Sequence, residues 1–218
     1  MMVFPGDPPV SLTAHATFPE DGYRVTDLSC GSHTGTHVDA PSHTEPEGRT
    51  IDEFPVSRFV RDALVVDLRD HGPRDPIRPA DLPTTDAGAV VLWTGWAAHW
   101  GADSYLTHPY LTPAAARHCV ERGYDVAIDA LNVDPTPTRT ADDGDSDAVD
   151  GSDAVADTPD TDGEPTGVPA HHELLGNDRL IVENLRNLGA VPERFELSML
   201  PLKLDGCDGS PVRAVARW

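Results

Sequence analysis

TPAAARHCVERGYDVAIDAL, running from Thr112 to Leu131, holds the fold in outline. Thr112 offers a hydroxyl to cap a helix, and Pro113 suits the first helical turn, where an amide hydrogen has no acceptor. Gly123 supplies the stop, and DVAIDAL beyond it turns apolar and β-branched. Upstream, ALVVDL at Ala63 to Leu68 and AVVLWTG at Ala89 to Gly95 have the apolar content of buried strands. Downstream, RLIVENL at Arg179 to Leu185 and SMLPLKL at Ser198 to Leu204 add further strands, or a strand and an edge. A strand, helix, strand order flanked by more strands predicts a mixed α/β class with a large β component. For 218 residues one domain over 1–218 is the expectation, because domains usually hold roughly 100 to 200 residues.

Sixteen Lys and Arg stand against 37 Asp and Glu, a formal charge of −21. Phosphate backbones are bound by clustered Lys and Arg, so nucleic acid is not an expected partner. Lysine occurs once, as Lys203, beside fifteen arginines. That bias fits a cytosolic protein of a salt-loving microbe, in which an acidic surface keeps the chain soluble. No apolar run approaches the roughly 18 residues of a membrane span, and MMVFPGDPPV lacks the basic-then-apolar order of a signal peptide. A soluble cytoplasmic protein with no membrane partner is expected. Cys30, Cys119 and Cys207 form no CxxC pair and are read as reduced thiols.

From Thr138 to Gly167 the composition shifts to Asp, Thr, Gly, Pro and Ala, with ten acids between Asp142 and Glu164 and no base among them. Such a stretch buries too little apolar surface to offset the entropy of ordering it. It reads as a disordered acidic insertion within the domain.

The densest chemical signal is SHTGTHVDAPSH, Ser32 to His43. Imidazole and carboxylate groups are common ligands of divalent transition metals, and catalytic sites often use three of them. His33, His37 and Asp39 supply that number. Thr34, Gly35 and Thr36 are poor helix formers and Pro41 follows, so a tight turn into an extended segment is predicted. There His37 and Asp39 point to one side, and Gly35 lets His33 join them. A second cluster is His171, His172 and Glu183. Glu183 lies in the apolar run Leu180 to Leu185, where an unpaired carboxylate is costly to bury. A metal would remove that cost, and so would a distant arginine or a place at a strand end. Phe4, Tyr23, Trp93 and Trp96 are candidates for an aromatic wall against a planar substrate.

These stretches together resemble the cyclase-like metal-dependent hydrolases, the group that includes bacterial kynurenine formamidase. The signature H-x-G-T-H-x-D-x-P-x-H is present as His33, Gly35, Thr36, His37, Asp39, Pro41 and His43. The likeness continues through PGDPP at Pro5 to Pro9, TGW at Thr94 to Trp96, IDALNVD at Ile128 to Asp134, H-x-x-L-L at His171 to Leu175, Glu183-Asn184, and DGSPVRA at Asp208 to Ala214. It implies a compact swivelling β/β/α fold, assembly as a homodimer or higher homo-oligomer, and two divalent ions, zinc or in some members manganese. By the same resemblance His33, His37 and Asp39 hold the first ion, Asp39 bridges, and His171 with Glu183 completes the second. His171 rather than His172 has the spacing to the Leu-Leu pair. His43 is then the general acid and base. Asn132 stands where the family has a serine. The implied activity is hydrolysis of a small-molecule amide, foremost an N-formyl aromatic amine such as N-formylkynurenine, with Phe4 and Trp96 at the substrate. Lactam or ester hydrolysis, ring closure, and a non-catalytic metal-binding module are the alternatives.

Overall fold

The computed structural model describes residues 3–137 and 163–218. In chain order these form β1 (Ser11–Ala16), β2 (Val25–Ser29), β3 (His37–Asp39), β4 (Val60–Asp67), β5 (Pro76–Ile77), β6 (Ala89–Trp93), β7 (Tyr110–Leu111), β8 (Asp125–Ile128), β9 (Ile181–Glu183), β10 (Arg194–Ser198), β11 (Gly209–Pro211) and β12 (Val215–Arg217). The helices are α1 (Phe18–Asp21), α2 (Pro113–Arg122) and α3 (Pro169–Leu175). One sheet of eight strands runs in the order β11-β3-β9-β8-β6-β4-β10-β12. Its centre, β9, β8, β6 and β4, is parallel, and both flanks are antiparallel. The mixed α/β class read from the sequence is the class observed.

Parallel strands are covered on both faces, so their middles are apolar on either side, and alternate residues feed two cores. Val90, Leu92, Val126, Ile128 and Ile181 pack under Ala115 and Cys119 of α2 and Leu174 of α3. Val91, Ala127 and Val182 face the other way, against Phe59, Phe195 and Leu197. Helix α2 has the caps its sequence announces. The Thr112 hydroxyl accepts the Ala115 N–H at 3.2 Å, and Gly123 ends the helix at φ 78°, where a glycine meets no Cβ penalty. The TGW turn joins neighbouring strand ends, since the Asp129 carboxylate beyond β8 accepts from the Thr94 N–H, the Thr94 hydroxyl and the Gly95 N–H.

RLIVENL holds a strand over Ile181–Glu183, and past it Asn184, at φ 59°, and Leu185 still donate to the Ala130 and Ile128 carbonyls. One strand assignment is corrected: SMLPLKL is not a strand past Ser198. The strand is the preceding RFELS, which buries Phe195 and Leu197, and between Met199 and Leu204 the sheet pairing shrinks to a bridge from Pro201 to Val212. The acidic insertion read over 138–167 lies outside the described residues except for its last five. β1 and β2 form a separate antiparallel ribbon whose Leu12, Val25 and Leu28 are exposed.

Candidate metal centre

β3 lies between β11 and β9, placing His37 opposite Glu183 and Asp39 opposite Ile181. Strand alternation puts His37 and Asp39 on one face. Gly35, at φ 66°, reverses the loop ahead of β3, and His33 returns with Nδ1 2.8 Å from Asp39 Oδ1. The His37 Nδ1–H donates to the Gly35 carbonyl at 2.8 Å. Its Nε2 is thereby turned to Asp39 at 3.2 Å and to Glu183 at 3.5 Å.

His171 comes from the first turn of α3. Asp134 receives the backbone N–H of Ala170 at 2.8 Å and of His171 at 2.9 Å, so a carboxylate closes a helix start that no side chain of the helix caps. The same carboxylate accepts the His171 Nδ1–H at 2.7 Å. His171 Nε2 is left facing Glu183 Oε1 at 3.5 Å and Asp39 Oδ2 at 3.8 Å. Such a carboxylate partner fixes the tautomer and aim of a ligating histidine. His172 points elsewhere and pairs with Glu45 at 2.8 Å. Glu183 accepts the Val133 N–H at 3.0 Å and has no arginine partner among the described residues. The sets His33, His37, Asp39 and Asp39, His171, Glu183 each bring their ligand atoms within 4.8 Å of one another, and Asp39 belongs to both.

The electrostatics fit a divalent cation. Asp39 Oδ2 is buried without a hydrogen-bond partner, an expensive state for a carboxylate oxygen. Burial opposes charge on His33, but Asp208 and Asp39 outweigh it and push its pKa up to about 10. Burial likewise opposes charge on His37 and His171, and neighbouring carboxylates raise both. Burial, and then repulsion from Asp39, pushes Glu183 up to about 7, while burial opposes charge on Asp39 but His37, His171 and His33 outweigh it and hold Asp39 well below the usual carboxylate range. Carboxylates so clustered call for positive charge, which a metal ion would supply with the histidines as deprotonated ligands.

His43 sits on the turn Pro41–His43, its ring 3.9 Å from that of His33 and 5.6 Å from that of His171. Asp208 Oδ2 meets both His33 Nε2, at 2.9 Å, and His43 Nδ1, at 3.4 Å. Asp208 and Asp134 are the site residues to which the sequence reading gives no role, although both fall inside the stretches quoted for the resemblance. Phe4 lines the cavity of about 210 Å³ over the cluster. Trp96 is not brought there. Its ring is only 7% exposed, packs in the core beneath α2, and donates from Nε1 to the Ser104 carbonyl at 2.9 Å. Tyr23 is exposed beyond the ribbon, and Trp93 lies under the Arg69 guanidinium.

Residues 1–135 match the family described as "Putative cyclase". The chain belongs to the cyclase family. Among curated relatives, the kynurenine formamidase of Salinibacter ruber is 34% identical over 221 residues, covering 99% of this chain and 91% of that protein. The kynurenine formamidase of Paracidovorax citrulli is 34% identical over 224 residues, covering 99% and 90%. Among solved structures, isatin hydrolase A from Labrenzia aggregata superposes with a TM-score of 0.73 at 21% identity, covering 99% of this chain and 87% of that one. A structure described as a predicted metal-dependent hydrolase from Bacillus stearothermophilus gives 0.67 at 25% identity, covering 99% and 91%. The isatin hydrolase likeness speaks for the fold.

Proposed function

We propose that this cyclase-family chain is a metal-dependent amidohydrolase that removes the formyl group from an N-formylated aromatic amine, N-formylkynurenine first among them. The observation that carries this reading is Asp39, a buried carboxylate with one oxygen unpartnered, shared by two sets of candidate ligands, with the His43 ring beside that of its partner His33. The names of the relatives support the substrate class. His33, His37 and Asp39 would hold one ion and Asp39, His171 and Glu183 another, zinc by preference and manganese as the alternative, since imidazole with carboxylate suits both. Bound ions supply a polarised carbonyl and a water acidic enough to attack near neutral pH.

His43 takes the proton that the attacking water sheds and passes it to the arylamine nitrogen as the C–N bond breaks and formate leaves. Asp208, on Nδ1, holds that ring in place and leaves Nε2 for the proton. Phe4 offers the aromatic ring of the substrate an apolar wall. Metal analysis with turnover on formanilide, lactam and ester substrates at high salt tests the reading. Stoichiometric zinc or manganese with formanilide turnover that a chelator abolishes is the expected result. Bound metal with no turnover on any substrate would favour a non-catalytic metal module instead.

A homo-oligomer is proposed as well, supported by the ribbon of β1 and β2. A two-stranded ribbon is marginal alone, and this one leaves Leu12 and Leu28 exposed at 69% and 60%. Light scattering should give a mass above that of one chain, and Leu12→Asp should lower it. No helix among the described residues is long and apolar enough to cross a membrane. A cytoplasmic location in a salt-loving cell is proposed from the charge balance, and stability that rises with added salt is its test.

A further inference from the structure

Two asparagines line the cavity over the cluster, and neither is used by the reaction as described. Asn132 follows β8 and Asn184 follows β9, so both lie beyond the carboxyl ends of neighbouring parallel strands. They are 6% and 2% exposed. The Asn132 Oδ1 accepts the Asp134 N–H at 2.8 Å, which fixes its oxygen, because an amide NH2 cannot accept. The Asn184 Oδ1 accepts the Tyr105 hydroxyl at 2.8 Å. Tyr105 is fully buried, and with the amide reversed its hydroxyl hydrogen would have no acceptor.

Asn184 is held tightly otherwise. Its N–H donates to the Ala130 carbonyl at 2.9 Å and its carbonyl accepts the Thr36 hydroxyl at 2.8 Å. Its φ of 59° is a conformation that side chains other than asparagine, aspartate and glycine rarely take. Neither Nδ2 hydrogen-bonds within the described residues, and neither is sealed off as a buried orphan. Both side chains line the same cavity.

We infer that Asn132 and Asn184 form a pair of amide donors that bind a carbonyl oxygen of the substrate next to the scissile amide, selecting anilides with a ketone ortho to the acylated nitrogen. The inference rests on the formamidase reading above and goes beyond it by naming the residues that choose among formanilides. N-Formylkynurenine carries such a ketone. Preorganised donors facing a cavity reward a ligand that accepts from them and penalise one that leaves them unpaired.

The test compares ortho-acetylformanilide with formanilide on the zinc-loaded full chain. Asn132→Asp and Asn184→Asp retain the shape, the internal oxygen contacts and the tolerance of positive φ, and remove the amino group. Zinc content is measured beside each variant. The wild type should favour the acetyl substrate in kcat/KM, and each variant should lower that ratio about tenfold, chiefly through KM. No preference in the wild type, or equal losses on both substrates, overturns the inference. If the wild type hydrolyses neither formanilide, the formamidase reading has failed, and calorimetry with ortho-aminoacetophenone and aniline decides the asparagines separately. Tighter binding of the ketone that vanishes in the double variant upholds them; equal binding refutes them.

Discussion

Replacing Asp134 by asparagine is the most telling change outside the ligands. The carboxylate is fully buried and takes three hydrogen bonds, from the Ala170 and His171 backbone and from the His171 ring. An asparagine keeps one oxygen. In its better orientation it retains both His171 bonds and sets its NH2 against the Ala170 N–H; reversed, it loses both bonds to His171. The milder case forfeits one bond to a charged acceptor, weakens two and strands a buried donor, which together cost about 3 kcal/mol. For a chain of this size that lowers the midpoint of thermal unfolding by about 6 to 12 °C. A weakened hold on the His171 ring should also lower zinc affinity by about 10- to 100-fold. Calorimetric melting of the metal-stripped protein reads the first effect and competitive zinc titration the second. A midpoint within about 2 °C of wild type, corresponding to under ~1 kcal/mol, together with unaltered zinc binding would refute the assignment of Asp134 as clamp for both helix and ligand.

His43→Ala should lower turnover about 100-fold or more at unchanged metal content, measured by steady-state kinetics and elemental analysis. Asp208→Asn should weaken zinc binding only about tenfold, the low end for such partners, because its side chain is 39% exposed and water can replace the lost contact with His33. Zinc uptake should release protons, since the histidines carry raised pKa values beforehand; calorimetric heats should vary with buffer ionisation enthalpy, and affinity should fall as pH falls. Burial drives His108 down to about 4, its Nδ1–H donating to the Pro109 carbonyl and its Nε2 accepting from Thr136. Unfolded His108 titrates near 6.5, so its contribution is complete above that pH and declines as pH falls towards 4, by about 3 kcal/mol at most. Urea unfolding of wild type and His108→Gln across that window should show a steeper acid loss in the wild type.

What the sequence disclosed was local. Thr112, Pro113 and Gly123 bound α2 because caps act within a turn, and His37 and Asp39 share a face because alternation is a property of any strand. The link between His171 and Glu183 was open on composition alone, since a buried carboxylate can be compensated in several ways; in the fold strand pairing sets Glu183 against His37, and α3 brings His171 Nε2 to 3.5 Å from it. Asp208 could not be found by spacing, because it reaches His43 only through the pairing of β11 with β3. The same holds for Asp134, whose link to His171 depends on where α3 begins. Trp96 misled because an indole beside a turn serves the core as readily as a ligand, and its Nε1 already has the Ser104 carbonyl. SMLPLKL has the apolar content of a strand, but its proline lacks a ladder donor and RFELS takes the place beside β4.

The placement of β3 also bears on how the protein is made. Both of its hydrogen-bonded neighbours are late in the chain, at Ile181–Glu183 and Gly209–Pro211. During synthesis the segment with His33, His37 and Asp39 therefore leaves the ribosome long before either neighbour, as an open strand edge bearing three of the five candidate ligands. Cation capture in final form must wait for Gly209–Pro211, so chains cut before that point should be not merely inactive but sticky, and a nascent polypeptide would gain from a chaperone until that strand emerges.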